Sequence, residues 1–320
     1  MKILVTGSGG FLGKHVVREL ENREHTVVSF RSFRQNTTRI RDRDLLDEGW
    51  TNDQICRNKP DVVIHLAAKC GGIGANMEKP GEFFYDNLKM GLNVIESCSK
   101  QAISKIVVLG TVCGYPKYAP IPFKEETFWD GMPEETNAPY GIAKKVLLTM
   151  LQAYRQQYGF NGIYLIPVNL FGPNDHFGLE NSHVIPALIR KFDAAKETGQ
   201  SVTLWGTGSA SREFLYVKDA AKAIADATEK YNGSEPVNIG AGFEITIKAL
   251  AELIAKLIGF EGEIIWNIEM PDGQPRRCLD VSRAEKYFGF KAMTPFKEGL
   301  KETIEWYVNN KSDILAKGDL

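Results

Sequence analysis

Tyr140 and Lys144, in the run Tyr140-Gly-Ile-Ala-Lys144, stand four residues apart. On a helix that spacing puts both side chains on one face, a turn from each other. A free phenol ionises near pH ~10, and each tenfold gain in acidity needs roughly 1.4 kcal/mol of selective stabilisation of the anion. A neighbouring ammonium supplies stabilisation of that kind, so Lys144 is expected to make the Tyr140 phenol more acidic. Such a phenol can protonate a carbonyl oxygen while hydrogen arrives at the carbon. Many helices contain Y-x-x-x-K by chance, so a third group is needed. The apolar run Lys105–Gly110 ends in Thr111-Val-Cys113-Gly-Tyr-Pro116. If that run is a strand of a parallel sheet, Thr111 sits at its carboxyl edge, where ligands of such sheets bind, and can hydrogen-bond the same oxygen. Cys113, two residues further along an extended chain, shares the side of Thr111. Equally, Cys113 is a small buried apolar residue, the usual fate of cysteine.

The hydride needs a carrier, and Gly7-Ser-Gly-Gly10-Phe11-Leu12-Gly13 provides a seat for one. These glycines follow an apolar run and open a helix-compatible one, which is the context that makes the motif informative. There the backbone turns tightly, approaches a pyrophosphate closely and offers helix N-terminal amides to its charge. After the next apolar run comes Ser29-Phe-Arg31-Ser-Phe-Arg34, with no acid between Val27 and Ile40. A carboxylate there would suit the ribose 2′-hydroxyl of NAD, whereas Arg31 and Arg34 suit a 2′-phosphate, so the expected cofactor is NADP. Two solvated loop arginines are the plainer alternative. Asp44 either accepts a hydrogen bond from the adenine amino group or caps a helix.

These groups have to be positioned by an alternation of strands and helices. Lys2–Thr6, Phe11–Asn22 and Thr26–Phe30 read as a β-α-β unit. Strands are expected at Asp61–Leu66, Lys105–Gly110 and Asn161–Val168, with helices at Asp86–Lys100 and Ala143–Tyr158. The fold class is therefore α/β, a doubly wound parallel (Rossmann) sheet with helices on both faces. Residues 1–170 form the NADP-binding domain, and 209–232 return to it as a strand (Glu213–Val217) and a helix (Asp219–Lys230). The rest of 171–320 is expected to form a smaller α/β lobe that holds the substrate. It has helices at His183–Glu197, Ile247–Ile258 and Pro295–Asn309 and short strands at Val202–Trp205, Val237–Ile239 and Glu263–Trp266. The cleft between the two is the default ligand site.

Bulk properties narrow the function. A formal net charge of -1 gives no basic excess for nucleic acid or a membrane surface. No apolar stretch approaches the ~18 residues of a membrane helix. Met1-Lys2 leads directly into the first strand, and the five cysteines (56, 70, 98, 113 and 278) lack disulfide or metal spacing. A cytoplasmic location with reduced thiols is expected, and no metal.

Taken together, Gly7–Gly13, His65-Leu66-Ala67-Ala68, Thr111–Cys113 and Tyr140–Lys144 resemble an extended short-chain dehydrogenase/reductase. Further segments resemble the branch that acts on nucleotide-linked 4-keto-6-deoxyhexoses. They are Lys69-Cys-Gly-Gly-Ile73, Cys113-Gly-Tyr-Pro-Lys117, Pro133–Tyr140, Asn169-Leu-Phe-Gly-Pro-Asn-Asp-His176, Ser182-His-Val-Ile-Pro-Ala187, Trp205-Gly-Thr-Gly208 and Pro271-Asp-Gly-Gln-Pro275. The resemblance implies that a hydroxyl, Tyr140 and Lys144 carry the hydride step, while Cys113 and His183 move protons at C3″ and C5″. It implies a GDP-linked substrate, with GDP-4-keto-6-deoxy-D-mannose favoured, and contacts from Asn169, Arg190, Trp205 and Arg212. Leu66, Ala67 and Ala68 would border the cofactor, and a homodimer would form through the helices at 86–100 and 143–158. Taken alone, His183 reads as a cap or packed side chain, Arg190 as a solvent-facing charge, and Arg212 as an ion-pair partner of Glu213. Thr111 stands where the family usually has Ser, and Val112 and Gly114 also depart from it, which reshapes the sugar pocket. Dehydratases of the superfamily place an Asp-Glu pair where Val112-Cys113 stand here, which disfavours elimination. The alternatives are a related nucleotide-sugar reductase or epimerase, and a non-catalytic NADP-binding protein.

Overall fold

The computed structural model describes residues 1–30, 44–178, 182–270 and 274–316. Its strands are β1 (Lys2–Thr6), β2 (Thr26–Phe30), β3 (Val62–His65), β4 (Lys105–Leu109), β5 (Gly162–Pro167), β6 (Asn169–Phe171), β7 (Val202–Trp205), β8 (Ser211–Arg212), β9 (Phe214–Tyr216), β10 (Val237–Ile239), β11 (Ile245–Thr246) and β12 (Ile264–Asn267). The helices are α1 (Phe11–Asn22), α2 (Glu48–Asn58), α3 (Ile73–Glu78), α4 (Pro80–Lys100), α5 (Ala138–Tyr158), α6 (Val184–Thr198), α7 (Val217–Lys230), α8 (Ile247–Ile258), α9 (Ser282–Phe288) and α10 (Phe296–Ala316).

Six strands pair in the order β10-β5-β4-β3-β1-β2, each pairing parallel. β3 and β4 are buried along their whole length, as expected of a sheet covered by helices on both faces. The chain leaves β1 in one direction to β2 and in the other to β3, so the order reverses between β1 and β3. In such a sheet the crevice beyond the carboxyl ends at the reversal is where a ligand is held. One apolar core surrounds this sheet. A second is built around Phe171, Ile189, Phe192, Leu204, Leu250 and Ile254. It packs α6, α8 and α10 with the small pairs β7–β12 and β6–β9.

Five elements differ from the sequence expectation. The strand expected at Glu213–Val217 does not return to the large sheet: it forms β9, which pairs with β6 outside that sheet, and its Phe214 and Tyr216 belong to the second core, while the helix that follows, α7, does join the first. Sequence order puts Val237–Ile239 in the smaller lobe, but the strand pairs with β5 as the sixth strand of the large sheet. Ala284, Phe288 and Phe290, in and just after α9, likewise join the first core. A three-residue strand carries no sign of which sheet edge it will complete, because the partner is chosen in space. Helices α4 and α5 also begin several residues earlier than expected, each with proline in its first turn. Proline is tolerated there because the missing N–H would have had no helical partner. For α5 this matters to the chemistry, since it brings Tyr140 inside the helix. No helix among the described residues is long and apolar enough to cross a membrane.

Candidate active site

The glycine turn lies at the reversal point of the sheet. Gly7 adopts a left-handed backbone (φ 72°), and a Cβ there would lie 2.8 Å from the Ala67 amide nitrogen. A Cβ on Gly13 would lie 2.1 Å from the Gly7 carbonyl oxygen. Only glycine lets the turn, the start of α1 and the Leu66–Ala67 segment after β3 close on one another. Gly10 occupies the N-cap of α1 without a side-chain cap bond, so the first amides of the helix face the crevice unclaimed by a side chain. Thr6 ties the two strand ends together: its Oγ1 lies 2.9 Å from His65 Nδ1 and accepts the Ala67 N–H at 3.3 Å. This cradle fits the pyrophosphate of a dinucleotide. Phe11 and Leu12 open α1, and Ala68 continues the segment beyond β3. Asp44 accepts the Leu46 N–H at 2.7 Å, closing a turn. The N-cap of α2 is Asp47, whose carboxylate accepts the Trp50 N–H. Arg31 and Arg34 lie outside the described residues.

The second half of the site collects at the end of β4. Thr111, 8% exposed, accepts the Cys113 N–H at 3.2 Å and caps the short 3-10 turn Val112–Gly114. The first turn of α5 packs directly on that turn. A Cβ on Gly141 would stand 2.4 Å from the Cys113 carbonyl oxygen, so a glycine is what lets Tyr140 reach this place. The Tyr140 hydroxyl lies 3.4 Å from Cys70 Sγ, a contact in which either group can donate. Cys70 comes from the loop after β3; its motif is conspicuous in the sequence, yet nothing there indicates that its thiol meets the phenol.

Lys144 follows Tyr140 by one turn and is 2% exposed. Burial lowers its pKa from 10.5 to about 8, while the neighbouring Cys70 acts in the opposite direction. Its charge also reaches His65, whose pKa falls to about 3, mainly through burial and then through Lys144. His65 is therefore neutral. Tyr140 departs from the expected direction. Its phenol is pushed well above 10 by burial first, then by Cys70 and Cys113, and Thr111 draws it down only in part. Desolvation of the phenolate outweighs the hydrogen bond with Thr111, and Lys144 is not among the groups that set this shift. A tyrosine held protonated is nonetheless the form that a proton donor requires.

His183 sits at the N-cap position of α6, but its side chain makes no cap bond. Its ring is 49% exposed, with Nδ1 3.7 Å from an Asp175 oxygen whose side chain is 2% exposed. Asp175 raises the pKa of His183 above 6.5, against the effect of burial. No signal in the sequence singles out Asp175 for this pairing, because eight positions and a loop separate the two residues.

The four residues expected at the nucleotide are distributed over the second lobe. Asn169 in β6 donates to the Glu213 carbonyl at 3.2 Å. Arg190 in α6 is half-buried and donates to the Phe177 carbonyl at 2.7 Å. Arg212 in β8 donates to the Ser211 carbonyl at 2.7 Å. The neighbouring Glu213 is fully buried and accepts backbone N–H groups from Ala241, Gly242 and Leu279. Trp205, at the end of β7, is 66% exposed and offers an open ring face. One further group, Arg277, reaches the site from the segment before α9, with Nη1 3.7 Å from Cys113 Sγ.

Comparisons with known proteins agree with this architecture. Residues 3–240 match the family described as NAD dependent epimerase/dehydratase. "Probable GDP-L-fucose synthase 1" of Oryza sativa subsp. japonica is 42% identical over 97% of this chain and 92% of its own length. Among solved structures, a GDP-L-fucose synthetase from Naegleria fowleri bound to NADP superposes with a TM-score of 0.87 at 28% identity, covering 100% of this chain and 95% of the other. A GDP-6-OMe-4-keto-L-xylo-heptose reductase from C. jejuni does so with a TM-score of 0.87 at 28% identity, over 97% and 98% of the two chains. A nicotinamide cofactor goes with the glycine cradle and with these relatives, and the chain belongs to the NAD dependent epimerase/dehydratase family.

Proposed function

We propose that this protein inverts C3″ and C5″ of a GDP-linked 4-keto-6-deoxyhexose and then reduces its 4-keto group at the expense of NADPH. GDP-4-keto-6-deoxy-D-mannose is the favoured substrate and GDP-L-fucose the product. The observation that carries this reading is the cluster at the end of β4, where the phenol of Tyr140 meets Thr111 and two thiols beside the dinucleotide cradle.

The chemistry follows from the groups. A 4-keto function acidifies the hydrogens on both neighbouring carbons, because the electron pair left behind delocalises onto the oxygen. The hydroxyls of Thr111 and Tyr140 stabilise that oxygen as its charge develops. Cys113, as a thiolate, accepts a proton from carbon, and His183, whose proton affinity Asp175 raises, returns one from the opposing side. NADPH held by the glycine turn of Gly7, Gly10 and Gly13 would supply the hydride for reduction at C4″. Tyr140 delivers a proton to O4″ in that step, and the Lys144 ammonium stabilises the phenolate left behind. Asn169, Arg190 and Arg212 serve the nucleotide and diphosphate, Arg by its planar fork, and Trp205 stacks on the base.

NADP rather than NAD is favoured by the acid-free stretch with Arg31 and Arg34 after β2, and by the similarity to the Naegleria structure that holds NADP. The free cysteines suit a cytosolic enzyme. A homodimer through α4 and α5 suits the apolar side chains they expose, Tyr85 and Val146 among them. Light scattering should give twice the chain mass, and a monomer mass would count against that seam. A second reading, a 4-reductase acting on another GDP-linked keto sugar, is favoured by the likeness to the C. jejuni heptose reductase. The test is incubation with NADPH and a panel of GDP- and UDP-linked 4-keto sugars, with products identified by NMR. GDP-L-fucose supports the first reading, reduction without inversion supports the second, and absence of NADPH oxidation with every sugar rejects both.

A further inference from the structure

Arg277 belongs to no helix or strand, yet both its backbone and its side chain are fixed. Its carbonyl accepts the Glu213 N–H at 3.0 Å, and two residues on the Leu279 N–H donates to the buried Glu213 carboxylate at 2.6 Å. Its Nε donates to Gln274 Oε1 at 2.7 Å, and Gln274 in turn donates to the Lys117 carbonyl at 2.9 Å. Lys117 is on the same post-β4 segment as Cys113. The arginine is thus anchored at Glu213, between β8 and β9, and braced against the segment it faces, with Nη1 directed at Cys113 Sγ, 3.7 Å away. The Glu134 carboxylate also feels this guanidinium, and Cys70 lies on the other side of the cluster, within reach of the charge of Cys113.

We propose that Arg277 is a positioning residue for the Cys113 thiol, holding the sulfur toward the cleft and stabilising the negative charge it carries as a base. This deepens the reading of Cys113 given above and rests on it. A guanidinium stays charged at any working pH, and a cation beside a cysteine sulfur favours the thiolate, the nucleophilic and basic form. When Cys113 takes a proton, the substrate C–H bond breaks, its electron pair moves onto the keto oxygen, and an S–H bond forms. In the reverse transfer the cation again stabilises the thiolate that remains.

The test compares wild type with Arg277→Gln and Arg277→Lys. Iodoacetamide labelling of the free enzyme at neutral pH, read peptide by peptide by mass spectrometry, needs no sugar, and exposed Cys56 serves as the internal reference. Arg277→Gln should slow labelling of Cys113 by about tenfold, the factor that ~1.4 kcal/mol of lost anion stabilisation gives, with Cys56 unchanged. Arg277→Lys, which keeps a cation, should restore most of the rate. In D2O with a GDP-linked 4-keto-6-deoxyhexose, Arg277→Gln should slow deuterium entry at the sugar carbons by a similar factor while NADPH binding is retained. Equal or faster labelling of Cys113 in Arg277→Gln, or undiminished exchange, would overturn the proposal. If wild type itself incorporates no deuterium, the reading of Cys113 as a sugar base fails, and the labelling result still decides whether Arg277 acts on the thiol.

Discussion

Replacing Lys144 by methionine should make the protein more stable and leave it without reductase activity. The side chain is 2% exposed, and burial lowers its pKa from 10.5 to about 8. At neutral pH the folded protein therefore holds an ammonium that the interior disfavours, by roughly 3 kcal/mol at about 1.4 kcal/mol for each tenfold change in proton affinity. The unfolded chain binds this proton more tightly than the folded one. Stability conferred through Lys144 is accordingly at its lowest below pH 8 and rises between about pH 8 and 10.5, where the folded state has released the proton and the unfolded chain has not. Lys144→Met removes the charge and keeps most of the volume. Urea unfolding at neutral pH should show a gain of order 3 kcal/mol, shrinking as the pH approaches about 10, while NADPH oxidation is lost. A variant less stable than wild type at neutral pH, or a gap that does not narrow in alkali, would refute the view that an uncomfortable buried cation is kept for its chemistry.

Two further perturbations probe the cradle and the histidine. Gly13→Ala places a methyl 2.1 Å from the Gly7 carbonyl, and overpacking of this kind costs about 1–3 kcal/mol. The turn must open, and the Kd for NADPH, measured by fluorescence, should rise about tenfold or more; an unchanged Kd would show that the turn does not hold the cofactor. Asp175→Asn removes the group that raises His183, so the NMR titration midpoint of that imidazole should fall. The sign for stability follows from the raised value. The pair contributes fully below about pH 6.5 and loses its contribution as the pH rises through the midpoint of the folded state, so wild type and variant should converge in alkali. A midpoint that stays in place would remove Asp175 from the site.

The parts of this molecule that were readable in advance are those whose cause is local. The β1–α1–β2 unit, β7 and α8 are bounded in the structure where apolar periodicity and glycine place them, because burial on one face imposes a period on the residues themselves. Tyr140, Lys144 and Thr111 were legible for a similar reason, as spacing on one helix and position at one strand end. Sequence order puts β10 in the smaller lobe because a strand as short as Val237-Asn238-Ile239 fits either sheet, and only the free edge of β5 decides between them. Cys70, Asp175 and Arg277 have their interest solely through partners on other segments, at Tyr140, His183 and Cys113. The motifs that contain Cys70 and Asp175 are visible in the sequence, but nothing in them names the partner each side chain meets. The Tyr140 phenol shifts upward rather than downward, and the sequence displays the cation one turn away but not the desolvation and the two thiols that surround the hydroxyl.

The most direct examination of the proton donor is Tyr140→Phe, assayed in D2O with NADPH and GDP-4-keto-6-deoxy-D-mannose. The account predicts no oxidation of NADPH, with deuterium still entering at C3″ or C5″ through Cys113 and His183. Turnover at the wild-type rate would contradict it.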